Sequence, residues 1–361
     1  MKKLIPELII ISVITAVLLV CITEYAGPPV IERTEQMMGT YATITIIDSD
    51  TTRANLAMDA AFEELKRVEE LMSLYNESSE VSSLNRNGTN WTALSHDTIN
   101  VLKKAEYYSE ISNGSFDVTC NPLLDLWMVK VKEEGRMPTP EEIEEVRELV
   151  GYEHLVIDVE GNRARFDKEG MSITLGGIAK GYAIDCACKK LIEAGMKHAL
   201  VNIGGDMRAV GDKNGVPWEV ALQNPRNKSE YITIIKLDNE SVTTSGDYER
   251  YFFEEEKRIH HIIDPTTGYS AEECISVTVI TQNCSDADAL STTVFVMGPE
   301  SGKALLDELG VKGLIISSDK RIINADSLQS AEQKVFCLTA VPYVCVCMLC
   351  IYPSLIGYDA L

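Results

Sequence analysis

Three stretches of this 361-residue chain carry residue types whose spacing could do chemistry. In SDADALSTTVFVMG, from Ser285 to Gly298, Asp288 and Thr292 stand four apart on a predicted helix, so their Cβ atoms share a face about 5–6 Å apart. A carboxylate, a hydroxyl and one backbone carbonyl make a hard-oxygen set suited to Mg2+. The competing reading has Asp286 capping the helix and the rest solvated. In SITLGGIAKGYAID, from Ser172 to Asp185, a short apolar run meets Gly176 and Gly177 and then a helix bearing Lys180. Glycines at such a turn let a ligand approach the backbone, and a helix N-terminus with a nearby Lys favours phosphate. The segment is not a P-loop, since neither GxxxxGKS nor GxxxxGKT occurs, and by itself it reads equally as a structural turn. The third stretch, Val242 to Gly268, holds TTSGDYERYF and RIHHIIDPTTG. Alternation sends His260 and His261 to opposite faces of a strand, His261 with Ile259 and Ile263, His260 with Arg258, Ile262 and Asp264. One of them could face a site; both together are poorly placed to ligate one metal.

Positioning these groups falls to elements the patterning predicts. Strands are expected at Tyr41–Ile47, Ala199–Ile203, Trp218–Leu222, Tyr231–Leu237, Ile259–Ile263, Ile275–Thr281 and Gly313–Ser317. Helical periodicity covers Thr52–Leu74, His96–Ile111, Pro140–Val150, Ile178–Glu193, Ala287–Phe295 and Glu300–Leu309. Strands cluster without regular alternation with helices, so the class is α+β. The acidic stretch Glu133–Glu148, with Pro138 and Pro140, reads as a solvated helical insert.

Composition narrows the function classes. The chain has 33 Lys and Arg against 55 Asp and Glu, a formal charge of −22, and 45% hydrophobic residues. Such a field repels polyanions, which excludes a general nucleic-acid binder and requires a local device for any bound phosphate. Lys2 and Lys3 precede an apolar stretch whose charge-free core, Leu8–Ile22, has 15 residues. Residues 1–23 are therefore expected to be a signal peptide or membrane anchor, short of the ~20 residues of a full span. Cys21 invites a lipoprotein reading, although Val20 stands where lipoprotein cleavage wants a small residue. Residues 329–361 form an apolar tail with Cys337, Cys345, Cys347 and Cys350, read as buried thiols or a second membrane segment.

The order of segments is far more specific than any one of them. MGT, MSLY…SE…LNR, GSFDVT…PL…LW, LGGIAKGYAID, NIGGD, TSGDYERYF, HIIDPTTG and DADALSTTVFVMG, from Met37 to Gly298, resemble the ApbE-like FAD:protein FMN transferase family. A softer continuation reaches about Ser327. The resemblance implies a single large α+β domain, 30–328, with a mixed, largely antiparallel sheet flanked by helices. It also implies an extracytoplasmic, Mg2+-dependent enzyme that takes FAD as substrate, links FMN through phosphate to a Ser or Thr of an acceptor protein and releases AMP. Carried over residue by residue, Asp288, Thr292 and the Gly177 carbonyl would hold the metal. Met38, Tyr75, Ser115, Phe116, Asp117, Thr174, Lys180, His261, Ile262 and Ile263 would line the flavin nucleotide site, with His261 catalytic. The implied partner is a flavin-carrying subunit of a membrane ion-pumping redox complex. Alternatives are an FAD pyrophosphatase and a non-enzymatic FAD-binding lipoprotein. Thr174 departs from the family, which usually has Asp there.

Overall fold

A computed structural model describes residues 27–254 and 257–324. The expectations for residues 1–23, lipidation at Cys21 included, and for the tail at 329–361 lie outside the described residues. The chain opens with strands β1 (Val30–Met37) and β2 (Thr40–Ile47), then helices α1 (Thr51–Met72) and α2 (Glu80–Asn87). Next come β3 (Thr92–Ala93), α3 (His96–Ile111), α4 (Asn121–Met128), α5 (Pro140–Arg147), β4 (Leu155–Asp158), β5 (Arg163–Phe166) and α6 (Ala179–Glu193). Strands β6 (Ala199–Ile203), β7 (Asp206–Val210), β8 (Trp218–Asn224), β9 (Asn227–Leu237), β10 (Ser241–Gly246), β11 (Tyr251–Glu254), β12 (Lys257–His260) and β13 (Cys274–Thr281) follow. Helices α7 (Cys284–Met297) and α8 (Pro299–Leu309) and strands β14 (Lys312–Ser317) and β15 (Ile322–Ile323) complete the described residues.

Eight strands make one sheet in the order β1-β2-β6-β7-β10-β13-β14-β15, every neighbouring pair antiparallel. The α+β class with a largely antiparallel sheet is the observed one. Helices α1, α6 and α7 cover one face: Met58 and Leu65, Ile184 and Ala187, and Leu290 and Val294 bury against Ile44, Val201, Val277 and Ile315. The β8–β9 hairpin covers the other, placing Trp218, Leu222, Ile235 and Leu237 on Val242, Ile280, Leu314 and Ile316. Strands buried on both faces lose the in-out alternation that sequence patterns rely on. Strand β10, with the polar sequence SVTTSG, lies inside this sheet between β7 and β13, and for that reason its sequence does not read as a strand.

Two expectations need correction. The strand expected over Ile259–Ile263 ends at His260, so Ile262 and Ile263 lie beyond it, and both are buried. The acidic insert is not merely solvated. Its helix α5 starts with a capping box between Thr139 and Glu142, and it buries Ile143 among Leu123, Trp127, Ile259 and Ile263. A fully buried aliphatic side chain contributes about 1.5–3 kcal/mol. The insert therefore underpins the segment that carries both histidines.

Candidate functional site

Glycines and caps bring Gly177, Lys180, Asp288 and Thr292 together around the start of α6. The extended segment before α6 is held by Asn85, whose side chain accepts from Ile173 N–H at 2.8 Å and donates to Ile173 O at 2.9 Å. Thr174 N–H donates to Val118 O at 2.8 Å, and the Thr174 hydroxyl accepts the Gly176 N–H at 3.2 Å. At Gly177 an added Cβ would lie 3.2 Å from Phe116 and 3.3 Å from Thr292 Oγ1, so glycine lets the backbone reach the Thr292 hydroxyl. Gly181, one turn on, packs so closely on α7 that a Cβ would sit 2.4 Å from Cys284 O. Its N–H donates to Asp288 Oδ2 at 2.9 Å.

Asp288 is only 4% exposed, and burial pushes its carboxyl up to about 6 against the opposing pull of Lys180, whose ammonium is 3.8 Å from Oδ1. Lys180 also pairs with Asp206 Oδ2. Burial works against the Lys180 charge, but Asp206 and Asp288 together more than offset it and keep the ammonium protonated. Asp206 follows the two-glycine turn of the NIGGD segment, where Gly204 and Gly205 have φ of +61° and +104°. Its second oxygen accepts the Thr244 N–H at 3.2 Å. The donor set of Asp288, Thr292 and the Gly177 carbonyl is all hard oxygen, the donor type that a divalent cation such as Mg2+ takes. Among the described residues no group of three or more His, Cys, Asp or Glu is arranged to hold a metal ion. The candidate set contributes a single carboxylate beside two neutral oxygens.

Of the remaining candidates, Phe116 lies against Gly177, and the others sit on loops with partners of their own. Met38 and Gly39 form the tight β1–β2 turn, both with positive φ (+51° and +71°), and Glu69 accepts the Met38 N–H at 2.7 Å. A non-glycine residue held in the left-handed region stores strain and marks Met38 as positioned. Ser115 and Phe116 follow another positive-φ pair, Asn113 and Gly114. Phe116 is buried edge-to-face on Tyr108. Both Asp117 oxygens are engaged within the fold: Oδ1 by the Thr119 N–H and hydroxyl, each at 2.7 Å, and Oδ2 by the Tyr152 N–H at 2.8 Å. Burial still pushes Asp117 up to about 6. Its side chain fixes the loop that carries Phe116. Tyr75, in the loop after α1, is 75% exposed, its ring projecting into solvent.

The two histidines separate cleanly. His260 is buried, edge-to-face with Phe295. Its Nε2 is 2.7 Å from the Ala271 carbonyl and so carries the proton, while Nδ1 accepts the Ile262 N–H at 3.3 Å. Both ring nitrogens are committed. His261 is accessible, and its backbone N–H and Nδ1–H both point to the Arg250 carbonyl, at 3.2 and 3.3 Å. That fixes the tautomer and leaves Nε2 as a free acceptor. Desolvation and the Arg250 charge pull the His261 pKa down to about 4. The expectation of an unperturbed imidazole near pH ~6.5 is corrected accordingly.

Sequence reasoning did not single out Asp206, Arg250 or Asp185. Their roles depend on contacts distant in the chain. Asp286 does not cap α7 through its side chain; it pairs with Lys104 at 2.6 Å and accepts the Tyr108 hydroxyl at 3.0 Å. The free N–H groups of Cys284 and Ser285 are taken instead by Asp185 of α6, at 2.8 and 2.9 Å. A surface cavity of about 540 Å³ lined by Pro28, Val30, Ile47, Val216 and Lys236 contains none of the site residues.

Known structures share this fold. The ApbE protein of Thermotoga maritima is similar with a TM-score of 0.77 and 36% identity over 83% of this chain and 98% of that one. The flavin transferase ApbE of Vibrio cholerae aligns with a TM-score of 0.71 and 31% identity over the same shares. Among curated sequences, an FAD:protein FMN transferase of Haemophilus influenzae is 32% identical over 341 residues, 91% of this chain and 97% of its own. One of Vibrio cholerae is 36% identical over 259 residues, 70% of this chain and 76% of its own. Fold and relatives together define a transferase. The ApbE family model matches residues 38–315, and the chain belongs to the ApbE family.

Proposed function

We propose that this protein transfers FMN from FAD to a Ser or Thr hydroxyl of an acceptor protein, with Mg2+ as cofactor and AMP as the leaving product. The observation that carries the reading is the buried Asp288 beside the Lys180 ammonium and bonded to the Gly181 N–H, with Thr292 close against Gly177; His261, its Nδ1–H fixed by the Arg250 carbonyl, supplies a base in this reading. The acceptor hydroxyl attacks the FMN-side phosphorus of FAD, its proton passes to His261 Nε2, and the bond from that phosphorus to the bridging oxygen of AMP breaks. A phosphoester to the acceptor forms as AMP departs. Asp288, Thr292 and the Gly177 carbonyl would hold Mg2+, which lowers the negative charge of the pyrophosphate as phosphorus is attacked. In a chain of charge −22 such a device is needed for any phosphate substrate. Lys180 supplies a further local positive charge, and Phe116 an apolar wall beside Gly177.

The acceptor in this reading is a flavin-carrying subunit of a membrane redox complex, with its hydroxyl exposed outside the cytoplasm. Lys2, Lys3 and the charge-free Leu8–Ile22 run support export or anchoring. Fractionation that recovers the full-length chain from the cytoplasm would remove the export reading. The decisive test of the activity is mass spectrometry of a candidate acceptor after incubation with FAD and Mg2+. Covalent FMN on Ser or Thr supports transfer. Free FMN and AMP with an unmodified acceptor means a pyrophosphatase, and intact FAD means a binding protein.

A further inference from the structure

Ser245, on β10, touches two hydroxyls of α7: Ser291 Oγ at 2.9 Å and Thr292 Oγ1 at 3.1 Å. Ser291 Oγ in turn donates to the Asp288 carbonyl at 3.0 Å. Each hydroxyl has one proton, so the direction of the chain is set from its far end. Ser291 spends its proton on a carbonyl, which cannot donate. Ser245 therefore donates to Ser291, and Thr292 donates to Ser245. A helical Thr ordinarily returns its proton to the carbonyl four residues back. Thr293 does so, donating to Ala289 O at 2.7 Å. For Thr292 that carbonyl belongs to Asp288 and already takes the Ser291 proton.

We propose that Ser245 is a positioning residue of the cation site: it draws the Thr292 proton toward the sheet and leaves the Thr292 Oγ1 lone pairs to the metal. The proposal rests on the Mg2+ reading above. Ser245 is suited to the task because β10 lies inside the sheet, paired with β13 in the register Ser245 to Val277, so its hydroxyl approaches α7 from a rigid base. A metal-ligating hydroxyl whose proton has another partner presents its lone pairs without first breaking a bond. Outer-shell partners of this kind are typically worth about 10–100-fold in metal affinity.

The test is a titration of Mn2+, a Mg2+ surrogate with the same preference for oxygen, into the FAD-loaded protein, with free Mn2+ read by electron paramagnetic resonance. Ser245→Ala is expected to weaken Mn2+ binding about 10–100-fold. Thr292→Val weakens it at least as much, and adding Ser245→Ala to Thr292→Val produces no further loss, because Ser245 acts through Thr292. The metal-free melting temperature serves as a folding control. Parent-like affinity in Ser245→Ala, or additive losses in the double variant, overturns the proposal while leaving the cation site standing. Asp288→Asn tests that site separately and is expected to lose binding. A parent protein that takes up no Mn2+ overturns both readings.

Discussion

Gly181→Ala sets two magnitudes against each other. Alanine is the better helix former by about 1 kcal/mol, so on an open helix face the change stabilises. At this position the new Cβ would lie 2.4 Å from Cys284 O, 2.6 Å from Cys284 C and 2.7 Å from Ser285 Cα. All three are backbone atoms, so no rotamer change relieves the overlap. Carbon contacts are comfortable at about 3.5–4.0 Å, so α6 and the first turn of α7 must part by about 1 Å. Overpacking of this kind costs about 1–3 kcal/mol, which matches or exceeds the helix gain. Activity suffers more than stability. The Gly181 N–H that holds Asp288 Oδ2 at 2.9 Å moves with α6, and a ~1 Å misplacement near the chemistry costs about 10²-fold in rate. The expected outcome is a melting temperature equal to or a few degrees below the parent, with flavin transfer down about 10²-fold. In-gel fluorescence of a flavinylated acceptor and calorimetric melting provide the two measurements. A variant that melts higher and transfers at the parent rate would refute the packing argument.

Asp288→Asn keeps an acceptor for the Gly181 N–H but removes the charge, so it is expected to fold and to lose Mg2+-dependent FAD cleavage; turnover at the parent rate with Mg2+ refutes the metal assignment. His261→Ala is expected to lose transfer by about 10²-fold while FAD still binds, the low end of general-base help, because an imidazole held near 4 is a weak base at neutral pH. His260→Ala, by contrast, removes a buried ring bonded at both nitrogens and is expected to cost about 1–3 kcal/mol in stability, read by denaturant unfolding. The free protein holds His261 near 4, below the ordinary imidazole value, so the neutral base persists well into acid. The acid limb of kcat/KM due to this group then lies near pH 4; a limb near ~6.5 that disappears in His261→Gln contradicts the desolvation argument. Thr174→Asp retains an acceptor for the Gly176 N–H and is expected to bind FAD at least as tightly as the parent, which isothermal titration with FAD checks.

The sequence by itself determined the fold class, the elements with a strong period and the identity of the family. Helices α3 and α8 and strand β6 end where, or within a residue of where, periodicity and turn residues place their ends. One covered face per helix imposes a 3.6-residue repeat that survives any tertiary arrangement. The spacing of Asp288 and Thr292 and the glycines before Lys180 were legible for the same local reason. Tertiary structure decided the rest. Strand β10 has no alternation to read because both its faces are covered, and only the folded sheet shows that its Ser245 reaches α7. Asp206 reaches Lys180 across 26 residues, and Asp185 rather than Asp286 satisfies the start of α7. The distinction between His260 and His261 rests on the Ala271, Ile262 and Arg250 backbone groups, partners that adjacent identical residues cannot reveal. Local periodicity records which way a residue faces, whereas pKa and hydrogen-bond direction depend on the groups that long-range packing brings alongside it.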